Sequence, residues 1–127
     1  MKGISEGSLG VGRMWVTVRV VSEDGSRFVE TIALVDTGAT LTVIPRSIAV
    51  QLGLRVTGKS RVETGAGVME VDRSRAYIEI MGKADIVPVI VSDMIDKVLI
   101  GVTTLEILEL EVDLLAGRLR ERTLLLY

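Results

Sequence analysis

The stretch that decides the reading is Ala33-Leu34-Val35-Asp36-Thr37-Gly38-Ala39-Thr40-Leu41-Thr42-Val43-Ile44-Pro45. Three apolar residues run into a carboxylate. A hydroxyl, a glycine and a small residue follow, and then a second apolar run begins. Apolar runs of this length, bounded by turn residues, are strands buried on both faces. A strand that ends in Asp-Thr-Gly and turns back into the core leaves Asp36 at the bottom of a cleft. By itself the tripeptide is also compatible with a plain turn, in which Asp36 accepts hydrogen bonds from nearby backbone N–H groups.

The flanks extend the pattern. Met14 to Val21 alternates, with Val16, Val18 and Val20 on one face and Thr17 and Arg19 on the other. Glu23-Asp24-Gly25-Ser26 is a turn signal, and Arg27 to Val35 is the returning strand, continuously apolar from Ile32. Downstream of the short strand Leu41 to Ile44, Pro45 opens a helix over Arg46 to Leu52, and Gly53 suits the position just past its end. A long hairpin follows, with arms Ser60 to Thr64 and Val68 to Ile80 joined at Gly65-Ala66-Gly67. Paired glycines there allow positive φ at a mobile tip. Ala84 to Val91 is a strand in which Pro88 requires an edge position or a bulge. Val98-Leu99-Ile100 is a short buried strand stopping at Gly101. Thr103 to Leu108 fits a short helix with Leu105 and Leu108 inward. Glu109 to Leu114 and Arg118 to Leu126 form a last hairpin, with Arg118, Arg120 and Arg122 on a solvated face. Many short strands separated by turns indicate an all-β barrel or sandwich in one domain spanning residues 1–127, with 1–12 a loose lead-in.

Composition narrows the chemistry. The 127 residues contain no histidine and no cysteine, which excludes Ser-His-Asp and Cys-His catalysis, Cys- or His-ligated metals and disulfides. Proton chemistry would rest on Asp, Glu, Lys or Tyr. The net charge of −2 is interspersed and only 3% of residues are aromatic, so nucleic-acid binding is disfavoured. The 48% hydrophobic content is almost wholly aliphatic and suits either a Val-rich core or a subunit interface. No apolar run has the roughly 18 residues a membrane span needs. The first residues lack a signal-peptide core, and a cytoplasmic protein is expected.

With these residues in place the sequence resembles the single-domain aspartic proteases of the retroviral-protease (retropepsin) type, in their cellular and prokaryotic branch. The likeness is carried by Leu34-Val35-Asp36-Thr37-Gly38-Ala39, by Ile44-Pro45 and the helix to Leu52-Gly53-Leu54, by Gly65-Ala66-Gly67, and by Leu99-Ile100-Gly101 with Leu105. It runs over residues 14 to 115. The resemblance implies an all-β, closed barrel-like lobe with a hairpin flap and one or two short helices, working as a homodimer. Asp36 matches the catalytic aspartate, and a chain this short holds only one. Thr37 matches the threonine that hydrogen-bonds across to the other subunit. Gly38 matches the glycine that lets the backbone approach the dyad, and Ala39 stands where two-lobed relatives often carry Ser or Thr. Thr64, Gly65, Ala66 and Gly67 match the flap, and Leu99, Ile100 and Gly101 the supporting second motif, with Gly101 packed under the Asp36 loop.

Two departures stand out. Thr40 occupies a position where viral members usually carry Asp. Val102 and Thr103 stand where they carry Arg.

The implied activity is aspartic endopeptidase cleavage of extended or unfolded polypeptides at acidic to mildly acidic pH, with no metal or cofactor and a second copy of the chain as partner. Subsites lined by aliphatic residues would prefer apolar side chains. The hairpin Glu109 to Leu126 is a candidate dimerisation element. The alternative is a dimeric peptide-binding or scaffolding module that keeps the barrel without cleaving.

Overall fold

The computed structural model describes residues 13–126, so the expected lead-in over 1–12 lies outside the described residues. β1 (Arg13–Val21) and β2 (Phe28–Asp36) pair antiparallel in unbroken register from Arg13↔Asp36 to Val21↔Phe28. Their turn is organised by Asp24. Its Oδ1 accepts from the Ser26 N–H at 2.9 Å, the Ser26 hydroxyl at 2.7 Å and the Ser22 hydroxyl at 2.8 Å. These donors, the backbone N–H first, hold the Asp24 carboxyl down at about 2.

β3 (Thr42–Pro45) leads directly into α1 (Arg46–Leu52). Pro45 is extended, at φ −61° and ψ 145°, so it closes the strand and the helix starts after it. Gly53 ends the helix at φ +66°, a left-handed conformation that glycine adopts without a Cβ penalty. β4 (Gly58–Thr64) and β5 (Gly67–Ile80) form the long hairpin, and β6 (Lys83–Ser92) returns along β5. β7 (Val98–Ile100) and α2 (Val102–Ile107) follow, then the small hairpin β8 (Leu110–Asp113) and β9 (Arg118–Glu121).

The large sheet runs β1-β2-β7-β3-β6-β5-β4, and β1 also pairs with β5 through Arg19↔Glu79, Val20↔Ile78 and Val21↔Tyr77. That pairing closes six strands into a barrel and leaves β4 outside the ring, attached only to β5. Closure removes the unpaired edges that an open sheet would carry. The inside is filled by alternate aliphatic residues, among them Val18, Val20, Val35, Ile44, Ile78, Val89, Val98 and Ile100, all buried. Branched side chains suit this role because they are stiff and pack well on a pleated surface.

The all-β barrel with two short helices is as expected, as is an edge position for Pro88, with three local differences. β2 is buried on both faces only from Ala33, because Ile32 is 58% exposed on the outer face of the barrel. Pro88 pairs with Arg75 in an unbroken β5–β6 register, so there is no bulge. β3 flanks β6 only from Val89 onward, and Pro88 therefore sits on the locally open edge that its missing N–H requires. At the hairpin tip Gly67 alone takes positive φ, +112°. The last strand stops at Glu121 rather than Leu126. β8 begins at Leu110, the partner of Glu121, and the preceding Glu109 turns away at φ +59°, so the hairpin pairing closes with one further bond, from the Arg122 N–H to the Glu109 carbonyl at 2.8 Å. Arg118 and Arg120 are solvated as expected, with Leu119 buried between them.

Candidate active site

β2 and β7 run parallel, Val35 beside Ile100, so Asp36 and Gly101 leave the barrel side by side. Ala33 and Val35 are wholly buried and anchor the strand. Asp36 is the first residue to emerge, and it is half-buried. The backbone then folds back on its own carboxylate. The Gly38 N–H donates to Asp36 Oδ1 at 2.9 Å, and the Ala39 N–H donates to the Asp36 carbonyl at 3.0 Å. A Cβ on Gly38 would lie 3.2 Å from that same Oδ1, so glycine permits the approach. Thr37 is exposed at the turn.

The loop from Thr37 to Leu41 rests on the start of α2. Val102 N–H donates to the Ala39 carbonyl at 2.9 Å and Thr103 N–H to the Thr40 carbonyl at 3.0 Å. These groups belong to the first turn of a helix, where N–H donors have no partner within the helix. Thr40, and Val102 with Thr103, the two departures from the resembling pattern, are thus joined here by backbone. Gly101 N–H donates to Thr42 Oγ1 at 3.1 Å, and Thr42 Oγ1 lies 2.6 Å from Thr104 Oγ1. Thr42 and Thr104 escaped the sequence reading. The one available signal was a hydroxyl inside the apolar run Leu41–Ile44.

Asp36 opens onto a cleft of about 1040 Å³. Of the expected site residues Asp36, Gly38, Ala39, Thr64 and Leu99 line it, whereas Thr37, Gly65, Ala66, Gly67, Ile100 and Gly101 do not. Ile100 is fully buried in the barrel, and the hairpin tip stands beyond the cleft. Thr64 ties that tip. Its hydroxyl donates to the Gly67 carbonyl at 3.0 Å and accepts from the Ala66 N–H at 3.1 Å.

The lining is largely apolar, as expected, and adds a charged group that the expectation did not include. Val43, Ile90 and Leu99 make an apolar floor, but the walls carry an ion network. Arg46 makes two parallel bonds to Asp93, Nε–Oδ1 at 2.9 Å and Nη2–Oδ2 at 3.1 Å, and reaches Asp72 with Nη1 at 2.8 Å. Lys59 Nζ meets the other Asp72 oxygen at 2.7 Å. Lys59 and then Arg46 hold the Asp72 carboxyl below its ordinary value, and Arg46 does the same for Asp93. The same contacts raise Lys59 and Arg46. The network joins residues up to 47 apart, from α1, β4, β5 and the loop after β6, and no local pattern announces it.

Residues 27–106 match the sequence model of the family described as "gag-polyprotein putative aspartyl protease". The chain belongs to that family. It is a retropepsin-like aspartic protease, an aspartic-type endopeptidase, and the matched span runs from β2 through most of α2. No curated protein sequence matches significantly. Among solved structures, the protease resembles the solution structure of simian foamy virus (mac) protease with a TM-score of 0.55 at 17% identity, over 73% of this chain and 92% of that one. It resembles EIAV protease complexed with the inhibitor HBY-793 with a TM-score of 0.60 at 19% identity, over 80% and 92%. A foamy viral protease–reverse transcriptase in complex with an RNA/DNA hybrid gives 0.54 at 19%, over 72% of this chain and 11% of that longer one. At these identities the structural likeness speaks to the fold. Among the described residues, no helix of this protease is long and apolar enough to cross a membrane.

Proposed function

We propose that the protease is a homodimeric endopeptidase whose two Asp36 side chains, one from each copy, share a proton and activate a water. The observation that carries this reading is the placement of Asp36: a half-buried carboxylate at the exit of a buried strand, opening onto a large cleft, with its loop held rigidly from below. Asp-Thr-Gly occurs once in the 127 residues, so a paired site takes a second copy.

Two carboxylates a few ångströms apart do not both ionise readily, and the pair holds one proton. The ionised member takes a proton from the water between them as its oxygen attacks the scissile carbonyl carbon. The protonated member donates to the carbonyl oxygen. Collapse of the tetrahedral species breaks the C–N bond, and the proton passes to the leaving nitrogen. Such a dyad titrates as a unit, and activity should favour acidic to mildly acidic pH.

Within this reading the β4–β5 hairpin is the flap. Past the Asp72↔Val91 pair, β5 has only β4 as a neighbour, so residues 60–71 project as a two-stranded arm beside the cleft. An arm of this kind could close over an extended peptide and exclude water. The substrate would add as a strand, with its side chains alternating between the apolar floor and the charged walls.

The test is cleavage of an unfolded protein across pH 3 to 7, with Asp36→Asn alongside. Acid-favoured cleavage by the native protein, lost in a folded, dimeric variant, is the expected result. Equal cleavage by both, or none by a verified native dimer, would overturn the reading; the second outcome would leave a peptide-binding module.

A further inference from the structure

We infer that Thr42 and Thr104 are positioning residues for Asp36, their paired buried hydroxyls fixing where the 36–41 loop sits on α2. The inference rests on the reading of Asp36 as the catalytic group. Both threonines are fully buried, at 0% exposure, and neither lines the cleft, so neither meets substrate. A buried hydroxyl without a partner is costly, and an apolar side chain of similar volume would fill either site without that cost.

The two hydroxyls are satisfied by each other at 2.6 Å and by the Gly101 N–H at 3.1 Å. Three consecutive N–H groups, of Gly101, Val102 and Thr103, thereby engage Thr42 Oγ1, the Ala39 carbonyl and the Thr40 carbonyl. Thr42 lies on β3 and Thr104 on α2, so the pair bolts the strand after the loop to the helix beneath it. The Gly38 N–H that orients the Asp36 carboxylate belongs to this same loop. A loop that slips on α2 carries the carboxylate with it, and in a two-copy site both carboxylates move.

The experiment compares Thr42→Val, Thr104→Val and Thr42→Ser with the native protein. Variants that are folded and dimeric are assayed for kcat and KM, and all are followed by amide hydrogen exchange. The valine variants should lose about tenfold to a hundredfold in kcat, the scale of a misplaced reacting group, with KM within about twofold. Thr42→Ser should restore most of kcat. Exchange should accelerate selectively at Gly38, Gly101, Val102 and Thr103 relative to barrel amides such as Val18 and Val89.

Unchanged kcat in the valine variants, or exchange that rises uniformly with lost stability, would show a merely structural pair and overturn the inference. Should the valine variants not fold, Thr42→Ala and Thr104→Ala, which also remove the hydroxyl, carry the exchange comparison. Altered protection confined to those four amides supports the inference, and no local change overturns it. A native protein that cleaves nothing refutes the catalytic reading separately, because the exchange pattern does not depend on turnover.

Discussion

Gly101 lies against the backbone of Leu41 so closely that a Cβ on it would stand 2.5 Å from the Leu41 carbonyl carbon and 2.6 Å from its oxygen. Its φ of −91° is open to any residue, so the position needs glycine for space and not for conformation. The contact is backbone against backbone, and no side chain can rotate to relieve it.

Gly101→Ala should therefore push the Asp36 loop off α2. Overpacking of this kind costs about 1–3 kcal/mol. The expected outcome is a folded protein with a lowered denaturation midpoint and at least a tenfold loss of peptide cleavage. Native activity in that variant would show that the loop tolerates displacement.

Arg46 is the hub of the cleft-wall network, and its removal has a signed pH consequence. Asp72 and Asp93 are held below the ordinary value of 3.8 by Lys59 and Arg46 and by Arg46 respectively. Their contribution to stability is complete above that value and is lost as pH falls through the lower, folded-state pKa values. Native melting temperature should thus decline below about pH 4. In Arg46→Gln the decline should be shallower, because Asp93 loses its partner and Asp72 keeps only Lys59. A pH profile of melting temperature for the two proteins decides it; parallel curves would mean the network is energetically silent. Because Asp72 marks the point where the hairpin departs from β6, hydrogen exchange in residues 60–71 should rise in the same variant.

Ile44 is wholly buried in the barrel between the Asp36 loop and α1. Ile44→Ala should cost about 2–5 kcal/mol, from lost transfer energy and the cavity left behind. Urea unfolding followed by circular dichroism measures it, with the midpoint expected to drop and the slope to hold.

The proposal that two copies build the site predicts an activity that depends on dilution. Specific activity should fall as protein concentration passes below the dimer dissociation constant and recover on concentration. Activity strictly linear in protein down to nanomolar levels would argue that the competent unit does not dissociate in that range.

Most of the strand plan was legible because period-2 alternation and apolar runs report burial directly, and these barrel strands obey it. The Asp36 motif was legible because a carboxylate and a glycine at the end of a buried run are locally unusual. The misjudged places share one cause. Ile32 and residues 122–126 have strand-like character, yet whether a strand persists, or a face is covered, depends on a partner supplied elsewhere. The ion network of the cleft was hidden for the same reason, since Arg46, Lys59, Asp72 and Asp93 read as ordinary surface charges until the barrel gathers them.

What the sequence by itself determined is therefore the one-dimensional content: which segments are strands, where they turn, and that a lone Asp-Thr-Gly ends one of the apolar runs. Only the tertiary structure decided how the barrel closes through β1 and β5, which sets β4 outside it as a free arm, and how Gly101, Val102 and Thr103 come to grip the Asp36 loop. The reason is physical. Burial and turn preference are properties of neighbouring residues, while a hydrogen bond from Gly101 to Thr42, 59 residues away, exists only once parallel strands have brought the two ends together.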